Sequence, residues 1–588
     1  MNCINKKLHL AVCAALAALA PLSAFAAPAD PTIPVPNAGQ ILQQIERDSI
    51  VTPLPVQPVI EQSAPEPEDQ GPKVVVKQFK FEGNKVLTAA ELEVALEALT
   101  GHEISIAQLK GAVDLIAAFY REKGFLATAT LPEQDITEGV ITINIVEAVF
   151  GDVKVDGEYG KDYKRVRPSV IERVVNASAP KGQSLDQNKL DRGLAVLQKM
   201  VGFNITPSYQ AGSVAGTTDL LVKVKDQPLL SGSILADNTG GRSTGRDKQT
   251  ASLNFASPFG FGDAINLTML EAKGVNYGRA AYSIPLGSKG LKLGVNGSYL
   301  AYDVIIKDNG IDEIKPKGNS MVYGLDLSYP LYASKTTNLN IEANYDRKKF
   351  VNKRIESDSY IESSNYRVDV YSLILSGTHN DSFLAGAINN ASVDFGMGRV
   401  NMTGSLNKQD DLEADNTQGH YKRTRLNLSR SQFLTDSLVL SLEGSGQWAN
   451  RNLDPSEKFY LGGINGVRAY PTSEGAGSEG YMFKLELRKY LPYNFNVSLF
   501  IDEGKVKQFQ DKEKLDGDSL LAEEVSNEYR LKGYGATVGW NGPYNSSIKA
   551  TYSTRMGENP NPAGEEKRND QDGSLRRHVL WLSGGIAF

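Results

Sequence analysis

Between Leu229 and Phe588 the sequence breaks into short segments of alternating apolar and polar residues, separated by turns rich in Gly, Asn, Asp and Pro. Sixteen such segments can be counted, with centres running from Ile234 to Leu582. Successive side chains of a strand point to opposite faces, so this alternation gives each strand one apolar and one polar face. In YMFKLELRKY, Tyr481, Phe483, Leu485 and Leu487 oppose Lys484, Glu486 and Arg488. In NLNIEANYD, Leu339, Ile341, Ala343 and Tyr345 oppose Asn338, Asn340, Glu342 and Asn344. An open sheet of this size would expose unpaired edges, and closure into a barrel removes them. An even number of ~10-residue alternating strands is the pattern of an outer-membrane barrel, apolar towards lipid and polar within. A soluble sandwich also alternates, but it turns its apolar face inward. The last segment, HVLWLSGGIAF, puts Leu580, Leu582, Gly584, Ile586 and Phe588 on one face, and Leu582, Ile586 and the terminal aromatic Phe588 make a candidate barrel-assembly signal.

The chain carries 22% charged and 41% hydrophobic residues at a mean hydropathy of −0.30, which excludes a bundle of apolar membrane helices. Its net charge is −6 and it has no long basic block, so a nucleic-acid partner is not expected. Residues 1–26 read as an export signal: Lys6 and Lys7, a largely apolar run from Leu8 to Leu19, and Ala24-Phe25-Ala26 as a small-x-small cleavage site. Both cysteines, Cys3 and Cys13, fall inside it, so disulfides are not expected to hold the exported protein.

Residues 27–50 contain a short helical pattern over 37–48, in which Ile41, Leu42 and Ile45 share one face and Asn37 can cap the start. A helix this short is marginal alone and must dock on something. The Pro-rich stretch 51–72 is a semi-rigid linker. Residues 73–148 then read as a compact βααββ unit. Thr88 with Glu91 opens a helix over 88–99, and Ser105 with Gln108 opens a second. Residues 149–226 repeat that order, with a helix around PSVIERVVNAS and another over 185–200, and two tandem copies are a repeat architecture.

No pattern of an enzyme survives inspection. GRSTG at 241–245 matches a nucleophile elbow but leads into a strand, not a helix. GAGSEG at 475–480 has no strand immediately before it and no helix after it. His102, His379, His420 and His578 are far apart, so neither a metal nor another cofactor is expected. The informative stretch is the glycine-rich connection 451–480, long enough to need a reason, with Val467-Arg468-Ala469-Tyr470 inside it. One strand beyond the next comes Phe500-Ile501-Asp502-Glu503-Gly504. Val497, Leu499 and Ile501 take the lipid face there, which leaves Phe500 and Asp502 in the lumen. A carboxylate inside a barrel wants a partner, and Arg468 on a loop folded inward would supply a two-bond fork.

Taken together, an export signal, an N-terminal helix, a Pro-rich linker, two βααββ units, sixteen strands, V-R-x-Y in a long late loop and F-x-D-x-G downstream resemble the two-partner secretion transporters, the TpsB branch of the outer-membrane POTRA-barrel superfamily. One departure is Ala469, where the commoner form has glycine, and alanine restricts the backbone there. The resemblance implies a mainly β fold with small α+β modules: a sixteen-stranded transmembrane barrel over 227–588, two periplasmic POTRA domains, and a plug helix bearing Ile41, Leu42 and Ile45. It implies a lumen latch of Val467, Arg468 and Tyr470 against a wall of Phe500, Asp502 and Gly504. The implied partners are a large secreted TpsA-type exoprotein (an adhesin, haemolysin or contact-dependent toxin), outer-membrane lipid of a Gram-negative bacterium, and the barrel-assembly machinery during biogenesis, with the transporter itself a monomer. A general barrel-assembly insertase would share the barrel and the loop motif, but it resembles a chain with more POTRA units and no plug helix. A passive porin would share the barrel alone.

Overall fold

The computed structural model describes residues 35–48 and 73–588 apart from 135–137, 215, 307–314, 335, 357, 511–526, 563–569 and 575. The expected export signal and the linker 51–72 lie outside the described residues. A helix, α1, runs from Ala38 to Asp48, and the Asn37 side chain caps it by accepting from the Gln40 amide at 3.0 Å.

The first small unit has a three-stranded sheet with Val140–Glu147 at its centre, parallel to Gln78–Glu82 and antiparallel to Ala127–Thr130. Helices Ala89–Ala95 and Ile106–Glu122 cover it. Both begin with reciprocal capping boxes, Thr88 with Glu91 and Ser105 with Gln108. The expected helix over 88–99 is shorter than its pattern: the last turn tightens to a 3-10 turn, Glu97–Leu99, and Gly101 at φ +81° reverses the chain into a short strand, Glu103–Ser105, paired with Lys73–Val75. The second unit repeats the topology. Thr217–Asp226 lies between Val149–Asp156 and Phe203–Ala211, with helices Pro168–Ser178 and Gln187–Gln198. That last helix starts at Gln187, two residues inside its expected range, because Asp186 caps it through the Lys189 amide at 3.0 Å. Each unit has its own buried apolar core.

The remainder is one closed ring of antiparallel strands. They are β1 Leu230–Asp237, β2 Lys248–Ala256, β3 Ala264–Ala272, β4 Val275–Leu286, β5 Leu291–Asp303, β6 Lys317–Ala333, β7 Thr337–Glu356, β8 Ser359–Asp381, β9 Ala387–Asn401, β10 Gly419–Thr435, β11 Leu438–Ala449, β12 Glu479–Tyr490, β13 Phe495–Lys507, β14 Glu528–Asn541, β15 Ser546–Arg555 and β16 His578–Ala587. All sixteen expected segments are strands, and the faces fall as alternation requires: Leu499 and Ile501 are 63% and 52% exposed, Phe500 and Asp502 3% and 0%. The seam between β16 and β1 is short, pairing Ser583–Ala587 with Ser233–Asp237, and Phe588 prolongs it by exchanging two backbone bonds with Gly232 at 2.8 and 2.9 Å.

The second unit docks at the end of the barrel where β1 begins, here termed the turn end. The Arg167 amide donates to Gly260 O at 2.9 Å and its guanidinium lies 4.3 Å from the Phe261 ring centre. Long connections, such as 402–418 and 450–478, gather at the opposite, loop end.

Candidate functional site in the barrel lumen

Two elements from distant parts of the chain occupy the lumen. The connection from β11 to β12 folds inward, with Leu461, Val467, Ala469 and Tyr470 forming a buried cluster with Met482, Val506, Tyr529 and Leu531 of the wall. Arg468 leaves this cluster to meet the wall ions. Its Nε and Nη2 donate to the two Asp502 oxygens at 2.8 and 2.7 Å, and its own amide adds a third bond to Asp502 at 3.1 Å. Nη1 donates to Glu486 at 2.7 Å, and the guanidinium centre lies 3.4 Å from the Phe500 ring centre. The expected Arg468–Asp502 fork is present. Glu486, Ser553 and Trp581 were not expected in it: Ser553 Oγ and Trp581 Nε1 both donate to the Arg468 carbonyl, at 2.6 and 2.7 Å, tying the loop to β15 and β16. The inward face of β12 already carried Glu486 beside Lys484 and Arg488, and the charge reasoning used for Asp502 would have found it.

Glycines let the loop approach so closely. A Cβ on Gly504 would lie 2.5 Å from Leu461 Cδ2, and one on Gly533 only 2.5 Å from Ala469 Cβ. The alanine in V-R-A-Y therefore fits because β14 offers no side chain opposite it. Ala469 is also absent from the positive-φ residues, so the backbone there makes no demand that only glycine meets. Tyr470 is buried beneath Arg555, whose guanidinium centre stands 4.7 Å from the ring centre and whose Nη2 bonds Asp570 at 2.7 Å. Nearer the start of the loop, Glu457 accepts from Lys348 at 3.0 Å and from Arg423 at 2.6 Å, and Arg423 also bonds Asp394 at 2.6 Å. Burial pushes the Glu457 carboxyl up, but Lys348, Arg423 and Arg425 outweigh it and hold the group far below the ordinary carboxylate range. Glu474 goes the other way: burial, then the neighbouring Asp570, raise it despite hydrogen bonds from Asn559 and the Gln571 amide.

The second occupant is α1. Ile41, Leu42 and Ile45 are buried, as the shared face suggested, but the partner surface differs from a uniformly polar lumen. They pack with Leu300, Val322, Phe350 and Tyr366 of β5, β6, β7 and β8, an apolar patch on the inner wall. The α1 start is fixed by a bond from the Ala38 amide to Asn352 Oδ1 at 3.0 Å. Arg47 donates to three loop carbonyls, of Tyr460, Gly462 and Thr472, at 3.0, 2.9 and 3.1 Å, and the Gln43 amide reaches the Lys458 carbonyl. Beside Glu46 a cavity of about 460 Å³, lined by Tyr277, Arg279 and Asp346 among others, remains. The chemistry on view is that of ion pairs and apolar packing that hold both elements against the wall.

Leu582 and Ile586 are on the outward face of β16, and Phe588 is 56% exposed at the seam, its ring against Gly232.

Comparison with known proteins agrees with this architecture. Residues 216–523 match the family described as haemolysin secretion/activation protein ShlB/FhaC/HecB, and residues 74–148 match the ShlB-type POTRA domain. The heme/hemopexin transporter protein HuxB of Haemophilus influenzae is 24% identical over 567 residues, covering 93% of this chain and 94% of that protein. The outer membrane transporter CdiB of Dickeya dadantii is 21% identical over 430 residues, covering 71% and 73%. Among solved structures, CdiB from Escherichia coli superposes with a TM-score of 0.68 at 18% identity over 94% of this chain and 99% of that one. BamA from Haemophilus ducreyi lacking POTRA domains 1–3 reaches 0.51 at 14% identity, over 87% and 100%. At such identities the structural likenesses speak for the fold alone.

Proposed function

This chain belongs to the haemolysin secretion/activation family of outer-membrane two-partner secretion transporters, and from that premise we propose how it works on its client, one large exoprotein. The two small units, on the periplasmic side, capture the client unfolded. Their sheets leave Gln78–Glu82 and Phe203–Ala211 as edge strands, which can pair with an extended chain through backbone bonds. The barrel passes the client outward, and folding outside supplies the direction. The family match favours this over a general barrel-assembly insertase.

The observation that carries the mechanism is that the lumen is occupied by two separately tethered elements, α1 and the 451–480 loop, which meet each other through Arg47. Ile41, Leu42 and Ile45 act as the plug face. Val467, Arg468 and Tyr470 latch the loop to Phe500, Asp502 and Gly504. Leu582, Ile586 and Phe588 act as the signal for the assembly machinery, and loss of Phe588 lowers the amount of barrel in the membrane. The transporter acts as a monomer.

The test compares exported proteins of the host with and without this chain. Loss of one very large secreted protein, with other outer-membrane barrels at normal levels, supports the reading. A general loss of barrels would replace it with the insertase.

A further inference from the structure

The outward face of β7 to β10 changes character on the way to the loop end. Tyr345, Tyr371 and Met397 stand in one cross-strand row, with Phe395 and Trp448 one row nearer the turn end. Aromatic residues of this kind mark the level where lipid tails give way to head groups. Directly beyond them the next rows carry Arg347, Asp369 and Arg399, then Lys349 opposite Arg367, while Lys422 flanks Met397. Five cations thus surround one carboxylate. Asp369 accepts from Arg347 at 2.6 Å and is 3.4 Å from Arg367. Lys349, Arg399 and Lys422 are exposed and make no ion pair among the described residues.

Such an excess has a cost. Like charges directly opposite on neighbouring strands, as in Lys349 and Arg367, repel, and Asp369, already shared between Arg347 and Arg367, offsets only part of that charge. Strands β13 and β14 show the alternative: outward-facing Glu503 pairs with Lys532 at 3.1 Å and with Arg530 at 3.7 Å, and Lys505 pairs with Glu528, so cations there are neutralised from within. The cation excess on β7 to β10 is therefore local, and it sits at head-group depth on the loop end, across the membrane from the periplasmic units. The outer leaflet at that depth presents the phosphates of lipopolysaccharide.

We propose that the outward patch of Arg347, Lys349, Arg367, Arg399 and Lys422 is a binding site for the bisphosphorylated lipid A headgroup. Arginine forks match phosphate oxygens in two-bond geometry and lysines add point charge, while the aromatic rows below receive the acyl chains. Two phosphates on one glycolipid can answer cations spread over four strands, which a singly charged phospholipid cannot.

The test uses the purified full chain in detergent, with retention of added lipid read by native mass spectrometry. Bisphosphoryl lipid A is expected to be retained at least about tenfold better by the unchanged chain than by K349Q/R399Q/K422Q, since each surface cation contributes independently to anionic-lipid attraction. Monophosphoryl lipid A falls between. K505Q/R530Q/K532Q on β13 and β14 leaves retention unchanged. Single Lys349→Gln, with a fall of about two- to threefold expected, keeps the question open to measurement should the triple variant fail to assemble. Equal retention by the unchanged and substituted chains overturns the site. So does equal retention of phosphatidylglycerol and lipid A, which would make the patch a general anionic surface.

Discussion

The two occupants of the lumen are held by different physics. The loop is tied at both ends into the barrel and carries a desolvated arginine that shares two carboxylates, with Asp502 0% and Arg468 6% exposed. Helix α1 lies on the wall through apolar side chains and an amide bond to Asn352, and it meets the loop through Arg47, which donates to loop carbonyls, and through Asn465, whose side chain donates to the Arg47 carbonyl. A buried charge pair is costly to break one-sidedly, whereas apolar contacts exchange for others without leaving an unpaired ion. On the proposed function, this contrast assigns retention to the loop and departure to the helix.

Breaking the ion pair should give the largest effect. Arg468→Ala strands the buried Asp502 carboxylate, which costs ~3 to 5 kcal/mol in fully buried cases, and Asp502→Ala removes the two-bond fork and leaves the guanidinium held by Glu486 at 2.7 Å. Secretion of the exoprotein is expected to fall at least about tenfold in each at unchanged barrel abundance. The double variant should be no worse than Arg468→Ala, since in that variant Asp502 has already lost its guanidinium partner. Additive losses would separate the roles of the two residues. Arg468→Lys should also be impaired, because a point charge cannot reproduce the fork.

Next comes steric displacement of the same loop. Gly533→Ala would put two Cβ atoms 2.5 Å apart against Ala469, and overpacking of that kind costs ~1 to 3 kcal/mol. A several-fold loss of secretion is expected, and Ala469→Gly in the same chain should restore it. Failure of that rescue would show that the loop does not rest on β14 in the working state.

For the helix the readout changes from secretion to conductance. Leu42→Asp places an unpaired carboxylate in the apolar patch, so the helix should leave the lumen and planar-bilayer conductance should rise to that of a chain lacking residues 35–48. The unfolding midpoint of the barrel should barely move. A large drop in that midpoint would mean the helix is structural, which would erase the contrast with the loop. Arg47→Ala is the mildest test. It removes three bonds to loop carbonyls and leaves the apolar face in place, so openings should become a few-fold more frequent without reaching the Leu42→Asp level.

How much of this was legible beforehand follows from sequence distance. Capping boxes such as Thr88 with Glu91 lie within four residues of each other and are readable directly. The Arg468–Asp502 fork was reached across 34 residues because a lumen carboxylate demands a cation and few candidates existed. Trp581 bonds Arg468 from 113 residues away and Asn352 bonds Ala38 from 314, and no local pattern announces either. The apolar inner patch escaped for another reason. Phe350 and Tyr366 are inward residues flanked by the outward cations Lys349 and Arg367, so towards the loop end of β7 and β8 the alternation runs opposite to the apolar-outward pattern that identifies the lipid face.

The sequence by itself determined the strands, their number and which side of each meets lipid, because a two-residue period and a lipid exterior leave one solution to a backbone that must pair every bond. It also determined the Asn37 cap, the two capping boxes and the existence of an inward ion pair. Tertiary structure alone decided what fills the barrel: that Gly533 makes room for Ala469, that Glu486 and Trp581 join the latch, and that α1 rests on β5 to β8. Those contacts join residues brought together only when the ring closes, and ring closure is a property of the sixteen strands jointly, not of any one segment.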